Sequence, residues 1–347
     1  MSKNRNISLD ILRIISMIMI ISLHYLNHGQ VLEKLDFGTL NYNISYFIKS
    51  LCIVAVNCYI LISSYFLIDK NFNIKRIFKI GLEVIIYSIL IYFILVITNV
   101  IDFNKVDLTK SIFPITTGSY WFVSSYIVFL FLSLFLNKLI KAINKREHQL
   151  LLIILFIFNS ILSFVPGFSF MGVNSGYGVV WFVNLYLIAA YIKNNFKDWN
   201  IKNYLNYYFL GTILLMLSIY VLYFIKTILF NSQSLSEIYM VFNYNSPFVL
   251  FSSITLFCYF LSIKKDFSTN VKKLISFFAT STFSVYLIHD NSHVRSILWS
   301  DILNIGKYVN SNYIWIHFIC SVLLVFILCI LIDKIMKKTI TSFIKKI

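Results

Sequence analysis

The sequence predicts an all-α integral-membrane protein, a polytopic bundle of about ten transmembrane helices with both termini cytoplasmic. Three observations predict it. The 347 residues are 59% hydrophobic and 18% aromatic, with only 13% charged and three prolines, which is more apolar surface than a soluble domain can hide. That surface is gathered into runs of roughly 17–24 residues, the length a bilayer core demands. The basic residues fall between these runs and alternate in density from one connection to the next.

Taken in order, the runs are 7–27, 44–67, 78–101, 120–141, 148–165, 176–193, 204–226, 247–263, 271–290 and 313–333. One alternate set of connections holds 22 Lys and Arg, from Lys3 and Arg5 to Lys345 and Lys346; the other holds 7. The positive-inside rule places the first set and both termini in the cytoplasm, which requires an even number of spans. Pro114, Pro166 and Pro247 fall in or beside the outer loops, as helix-breaking residues should. The first run is expected to stay as an anchor, because polar residues interrupt it and no small-residue cleavage site follows. The longest connections, 102–119 and 227–246, are outer loops, and SIFPITTGSYW is expected to dip back towards the membrane. With no soluble domain evident, residues 1–347 read as a single transmembrane domain.

These features narrow the function. The net charge of +16 is spread in short clusters, a pattern that faces an anionic leaflet rather than nucleic acid. No internal repeat is evident, which disfavours a transporter built from inverted halves. Cys52, Cys58, Cys258, Cys320 and Cys329 lie in apolar runs without a CxxC pair, so neither a disulfide framework nor a zinc site is expected.

The chemistry-bearing residues begin in the first run, ISLDILRIISMIMIISLHYLNHG, which carries Asp10, Arg13 and His24. An Arg or Asp at mid-helix costs about 2.5–3.5 kcal/mol on the insertion scale and is rare without a use. Arg13 and His24 are eleven residues apart, which returns a helix to within about 20° of the same face, about 16 Å along its axis. Asp10 lies one turn before Arg13 on nearly the same stripe. After the second run comes NIKRIFKIGLE, whose Lys75, Arg76 and Lys79 suit a phosphorylated ligand or simply anchor the next span. Glu83 is one turn deeper, near the expected depth of Arg13. An interhelical Glu83–Arg13 ion pair is expected there, since an unpaired charge is costly.

The ninth run ends in TSTFSVYLIHDNSHVRSILW, bringing His289, Asp290, His293 and Arg295 out on the same side as His24. Neutral imidazole is the usual proton acceptor near pH 7, although Tyr and His also cap membrane helices at the interface. A metal held by His24, His28, His289 and His293 is the rival reading. It has neither an HExxH motif nor an identified carboxylate ligand, and no metal is expected. Tyr120 and Trp121, at the start of the fourth run, could stack on a sugar ring or belong to the aromatic belt.

Four stretches carry a resemblance to a known family: LDILRIISMIMIISLH, ILISSYFLI followed by IKRIFK, SYWFV, and FSVYLIH. Over essentially its whole length the chain resembles the acyltransferase-3 family of bacterial integral-membrane acyltransferases. The acidic residue, Arg, ten residues and His of the first run are the most specific feature. The resemblance implies transfer of an acyl group, usually acetyl, from cytoplasmic acyl-CoA to a hydroxyl of an extracytoplasmic sugar. It makes His24 the catalytic histidine and Arg13 the partner that helps hold the acyl donor; Asp10, on the same stripe, is a catalytic candidate with them. Arg76 and its basic neighbours Lys75 and Lys79 would help at the cytoplasmic mouth. From the reading of the residues above, His289, Asp290, Trp121 and Tyr120 are the candidates to face the acceptor.

His24 would act as general base or as transient acyl carrier. The YLIHDN ending looks most like members from capsule and exopolysaccharide clusters. Two departures are visible: Ser63-Ser64-Tyr65 stands where the family often reads Ser-Gly-Tyr, and KIGLEV lacks a frequent proline. No soluble extension is expected after the last span, so transfer would be completed within the membrane part or by a partner. Acetyl-CoA or another acyl-CoA is expected as donor substrate, without a permanently bound cofactor. The expected partners are the lipid bilayer and a polysaccharide or lipid-linked oligosaccharide, not nucleic acid. The competing class is a transporter or flippase of a lipid-linked glycan. A polysaccharide polymerase would need a larger outer loop.

Overall fold

A computed structural model describes residues 6–68, 70–164, 174–199, 202–230 and 238–344. Lys3, Arg5, Pro166, Lys345 and Lys346, which enter the orientation argument, lie outside them, as does the last residue of the expected fifth span. Among the described residues all regular structure is helical. The α-helices are α1 (Ile7–His28), α2 (Val31–Lys34), α3 (Leu40–Cys52), α4 (Ala55–Leu67), α5 (Ile74–Ile97), α6 (Lys105–Ile112), α7 (Trp121–Ala142) and α8 (Lys145–Phe156). They continue with α9 (Val179–Asn195), α10 (Tyr204–Phe230), α11 (Pro247–Ser262), α12 (Thr269–Ala279), α13 (Thr282–His289), α14 (Ser292–Ser296) and α15 (Ile314–Ile344).

Eight helical stretches among the described residues are long and apolar enough to cross a membrane. The expected spans 148–165 and 176–193 are not among them. α9 has 17 residues, and the 12-residue α8 passes into a π-turn at Ile157–Ile161. The turn has a local cause. Asn245 donates to the Asn159 carbonyl (2.7 Å) and to Ser163 Oγ (3.0 Å), while Ser160 Oγ donates to the Asn245 carbonyl (2.7 Å). These side-chain bonds satisfy backbone groups that a regular helix would pair internally.

The chain divides into two compact units, Met1–Ser45 with Ile74–Ser124 and Lys265–Ile347, and Tyr46–Asn73 with Ser125–Lys264. In the second unit α4 packs on α9 and α11, and α10 lies along α11. Gly211 permits the latter approach, since a Cβ there would sit 2.3 Å from Ser252 Oγ. Small residues let membrane helices come this close. Asn57, fully buried, donates to the Tyr244 carbonyl (2.9 Å) and accepts from Trp181 Nε1 (2.9 Å). An amide in an apolar bundle is tolerated when both ends are paired in this way.

In the first unit α1 packs against α12, α13 and α15, and α13 also meets α5. The expected ninth span is two helices, interrupted at Thr280 and Ser281. α1 starts at Asn6, whose side chain accepts from Leu9 N (3.1 Å), the usual N-cap bond. Where α5, α13 and α15 meet, the fully buried Asp333 accepts from Tyr87 OH (2.5 Å) and pairs with Lys337 (2.9 Å). Lys337 also reaches Ser284 Oγ (3.1 Å) and Glu83 (3.7 Å).

This corrects the expected Glu83–Arg13 pair. Glu83 has Lys337 as its ion partner, and Arg13 bonds Asp10 on its own helix at 2.9 Å. The reason is level. Ser284, which donates to Glu83, lies five residues before His289, whereas Arg13 lies eleven before His24, and the two histidines touch. At 1.5 Å per residue Glu83 is about 9 Å nearer the histidines than Arg13 is.

Asp333 is fully buried while Lys337 is partly exposed, so removing the lysine leaves a buried charge without its ion partner. Lys337→Met is therefore expected to destabilise the solubilised protein by about 2 kcal/mol, the Tyr87 bond to Asp333 limiting the loss. The double variant Lys337→Met with Asp333→Leu should recover part of it. Thermal unfolding of both variants checks this, and an unchanged melting temperature in the single variant would remove the pair from the stabilising contacts.

Candidate active site

The stripe on the first helix forms as one unbroken element, α1, which carries Asp10, Arg13, His24 and His28. Asp10 is buried, and Arg13, with 28% of its side chain exposed, is tied to it. His24 is completed from a distant part of the chain. Its Nδ1 lies 3.0 Å from Nε2 of His289, the last residue of α13. His289 is fully buried, and its Nδ1 is 2.6 Å from the Val285 carbonyl one turn earlier.

These two contacts assign both tautomers. A carbonyl oxygen only accepts, so His289 Nδ1 carries the proton, and in the neutral ring its Nε2 is a lone pair. His24 Nδ1 must then donate to that lone pair, which leaves His24 Nε2 unprotonated. Among the described residues nothing hydrogen-bonds to His24 Nε2. The result is a neutral imidazole held through one nitrogen and bare at the other, the state needed to accept a proton or attack a carbonyl carbon.

Asp290 follows His289 at the end of α13 and is 3% exposed. One of its oxygens, Oδ1, is a hub: 3.6 Å from His24 Nδ1, 3.6 Å from His28 Nε2 and 3.0 Å from Arg295 Nε. Arg295 also donates through Nη2 to the Asp290 carbonyl at 3.2 Å. The permanently charged Arg295, bonded to both the carboxylate and the backbone carbonyl of Asp290, favours its ionised form. Asp290 is therefore an anion.

The ligand atoms of His24, His28 and Asp290 lie within 4.8 Å of one another, a spacing at which a metal ion could join them. In this arrangement His24 Nδ1 is protonated towards His289 and Arg295 already occupies Asp290 Oδ1. A cation bound through Asp290 Oδ1 would compete with Arg295 there. His293, the other histidine of that reading, instead lies beside Tyr92 (ring centroids 5.4 Å) and Ser111 (3.5 Å).

Of the residues singled out from the sequence, the fold brings His24, His289 and Asp290 together. His289 and Asp290 are buried, so they position other groups instead of lining an acceptor surface. Tyr120 is a clear correction. It is 1% exposed, its OH donates to the Leu287 carbonyl (2.8 Å) and accepts from Asn291 (2.8 Å), so it braces the corner that carries His289 and Asp290 and has no face for a sugar. Trp121, the first residue of α7, is half-buried beside Phe122. Lys75, Arg76 and Lys79 lie exposed in the first turns of α5. Sequence reasoning gave His28 and Arg295 no part beside Asp290. The four-residue step from His24 to His28 was the available signal, since it places both on one helical face.

An all-helical membrane protein with a tautomer-fixed histidine pair, one partner on the first helix and one at the end of a broken helix, is the class defined by this geometry. The acyltransferase-3 family profile, described as an acyltransferase domain, matches residues 6–334, and the chain belongs to that family. No curated protein and no solved structure matches it.

Proposed function

We propose that this membrane acyltransferase is an O-acyltransferase, moving an acyl group, acetyl by preference, from cytoplasmic acyl-CoA to a hydroxyl of an extracytoplasmic or lipid-linked surface polysaccharide. The observation that carries the reading is the bare Nε2 of His24, fixed by the bond from His24 Nδ1 to His289. Ten spans in the cytoplasmic membrane, with both termini inside and the whole chain acting as one domain, complete the proposal. α8 with its π-turn and α9 would supply the two spans beyond the eight long ones.

Arg13, clamped by Asp10, lies about 16 Å along α1 from His24, so one helix would present a cation towards the donor side and an imidazole towards the acceptor side. Lys75, Arg76 and Lys79 at the start of α5 would bind the donor phosphates, where charge-assisted bonds are strongest. Trp121 would offer an aromatic face to the acceptor. The acyl-CoA is a substrate, and the chain needs no resident cofactor for this chemistry.

Purified protein in nanodiscs should release CoA from acetyl-CoA when alkali-de-esterified surface polysaccharide is added. Arg13→Ala should raise the KM for acetyl-CoA about tenfold while leaving that for the glycan unchanged, because it removes binding to one substrate only. Glycan movement across vesicles with no dependence on CoA would favour a flippase and end this reading.

A further inference from the structure

We propose that His28, backed by Asp290, is the base that activates the acceptor hydroxyl, while His24 carries the acyl group between donor and acceptor. This inference rests on the acyltransferase reading above. His28 is one turn beyond His24 on the same face of α1, and their ring centroids are 4.8 Å apart. Its Nε2 faces Asp290 Oδ1 at 3.6 Å. An ionised carboxylate only accepts, so the N–H of His28 points at Asp290 and Nδ1 keeps the lone pair. The separation is longer than a formed hydrogen bond, but such contacts commonly tighten once substrate is bound.

The site thus holds two imidazoles, each turned through one nitrogen to an acceptor, His24 by a formed bond and His28 by a longer contact, and each bare at the other. His24 is anchored on a neutral histidine, and His28 faces an anion. Direct transfer needs one base; two lone pairs one turn apart fit two half-reactions. Their access differs in the same sense. His289 is fully buried, the His24 side chain is 18% exposed and that of His28 30%, so His28 is the more open towards the end of α1, where the acceptor would arrive. The negative charge of Asp290 would stabilise His28 when it becomes protonated, which a neutral partner could not do. Arg295 is then a positioning residue, fixing the Asp290 carboxylate by its Nε bond.

The steps balance. His24 Nε2 attacks the thioester carbon, the C–S bond breaks, and CoA leaves as a thiolate that takes a proton from water on the donor side. The Nδ1 proton passes to His289 Nε2, giving a neutral acyl-imidazole. His28 Nδ1 next removes the acceptor hydroxyl proton as that oxygen bonds the acyl carbon. The C–N bond breaks, His24 recovers its Nδ1 proton from His289, and His28 loses its proton to water on the acceptor side.

The test compares wild type, His28→Gln and His24→Gln in nanodiscs. Three rates are measured: exchange of labelled CoA into acetyl-CoA without acceptor, acetohydroxamate formation with hydroxylamine, and acetyl transfer to alkali-de-esterified surface polysaccharide. Hydroxylamine is a strong nucleophile and needs no base. His28→Gln should keep the first two rates within about twofold and lose the third by about 100-fold, while His24→Gln loses all three. The inference is overturned if His28→Gln acetylates the polysaccharide at the wild-type rate. It is equally overturned if all three rates fall together in that variant, or if the wild type transfers acetyl without catalysing exchange. A wild type inactive in every assay sinks the acyltransferase reading beneath it.

Discussion

His24→Ala is expected to abolish acetyl-CoA-dependent acylation, with a fall in kcat of about 10³-fold or more. The variant removes the bare Nε2 that would take the acyl group, and the other bare imidazole nitrogen, on His28, lies one turn further along α1. The Asp290 carboxylate is tied to Arg295, and His289 already accepts the bond from His24. His24→Gln, which keeps a polar side chain at the position, controls for packing and should be as inactive. Wild-type turnover in either variant, with normal thermal unfolding, would remove His24 from the chemistry.

The second large effect is expected at His289. Replacing it by leucine removes the acceptor for His24 Nδ1–H, so either tautomer becomes available and the ring is free to turn. We expect kcat to fall about 10²-fold, with the KM for acetyl-CoA unchanged, because the loss falls on the reacting group and not on donor binding. His289→Gln should restore part of the rate, since its amide oxygen can accept the same bond. Recovery of this kind separates control of the tautomer from the packing loss that any change at a fully buried site brings. If leucine leaves kcat intact, Asp290 alone orients His24 and the histidine pair is a packing contact.

Much of α1 is legible in the sequence for a local reason. Twenty-two helical residues suffice to cross a bilayer, and the 3.6-residue period alone places Asp10, Arg13 and His24 on one stripe. The Asp10–Arg13 bond spans three residues, so it too follows from the helix. The same reasoning misassigned Glu83, because the level of a residue on α5 relative to α1 depends on how the helices slide past one another. It also misread Tyr120. An aromatic at the start of a span is equally suited to a sugar or to the interface, and only its bonds to Leu287 and Asn291 show that its hydroxyl is already committed. The break at Thr280 and Ser281 is invisible in a continuous apolar run, yet it ends one helix and starts the short one that delivers His289.

What the sequence by itself determined is the membrane class, the family, and a first helix on which a buried carboxylate, an arginine and a histidine share a face. The membrane class and the shared face follow from hydrophobic run length and helical period, which are properties of neighbouring residues, and the family from its characteristic stretches. What only the tertiary structure decided is which nitrogen of His24 is bare and which groups converge on Asp290. The contact that fixes the tautomer joins residues 265 positions apart in the chain. Proton position depends on the partner each nitrogen meets, and that partner exists only once α13 has packed against α1.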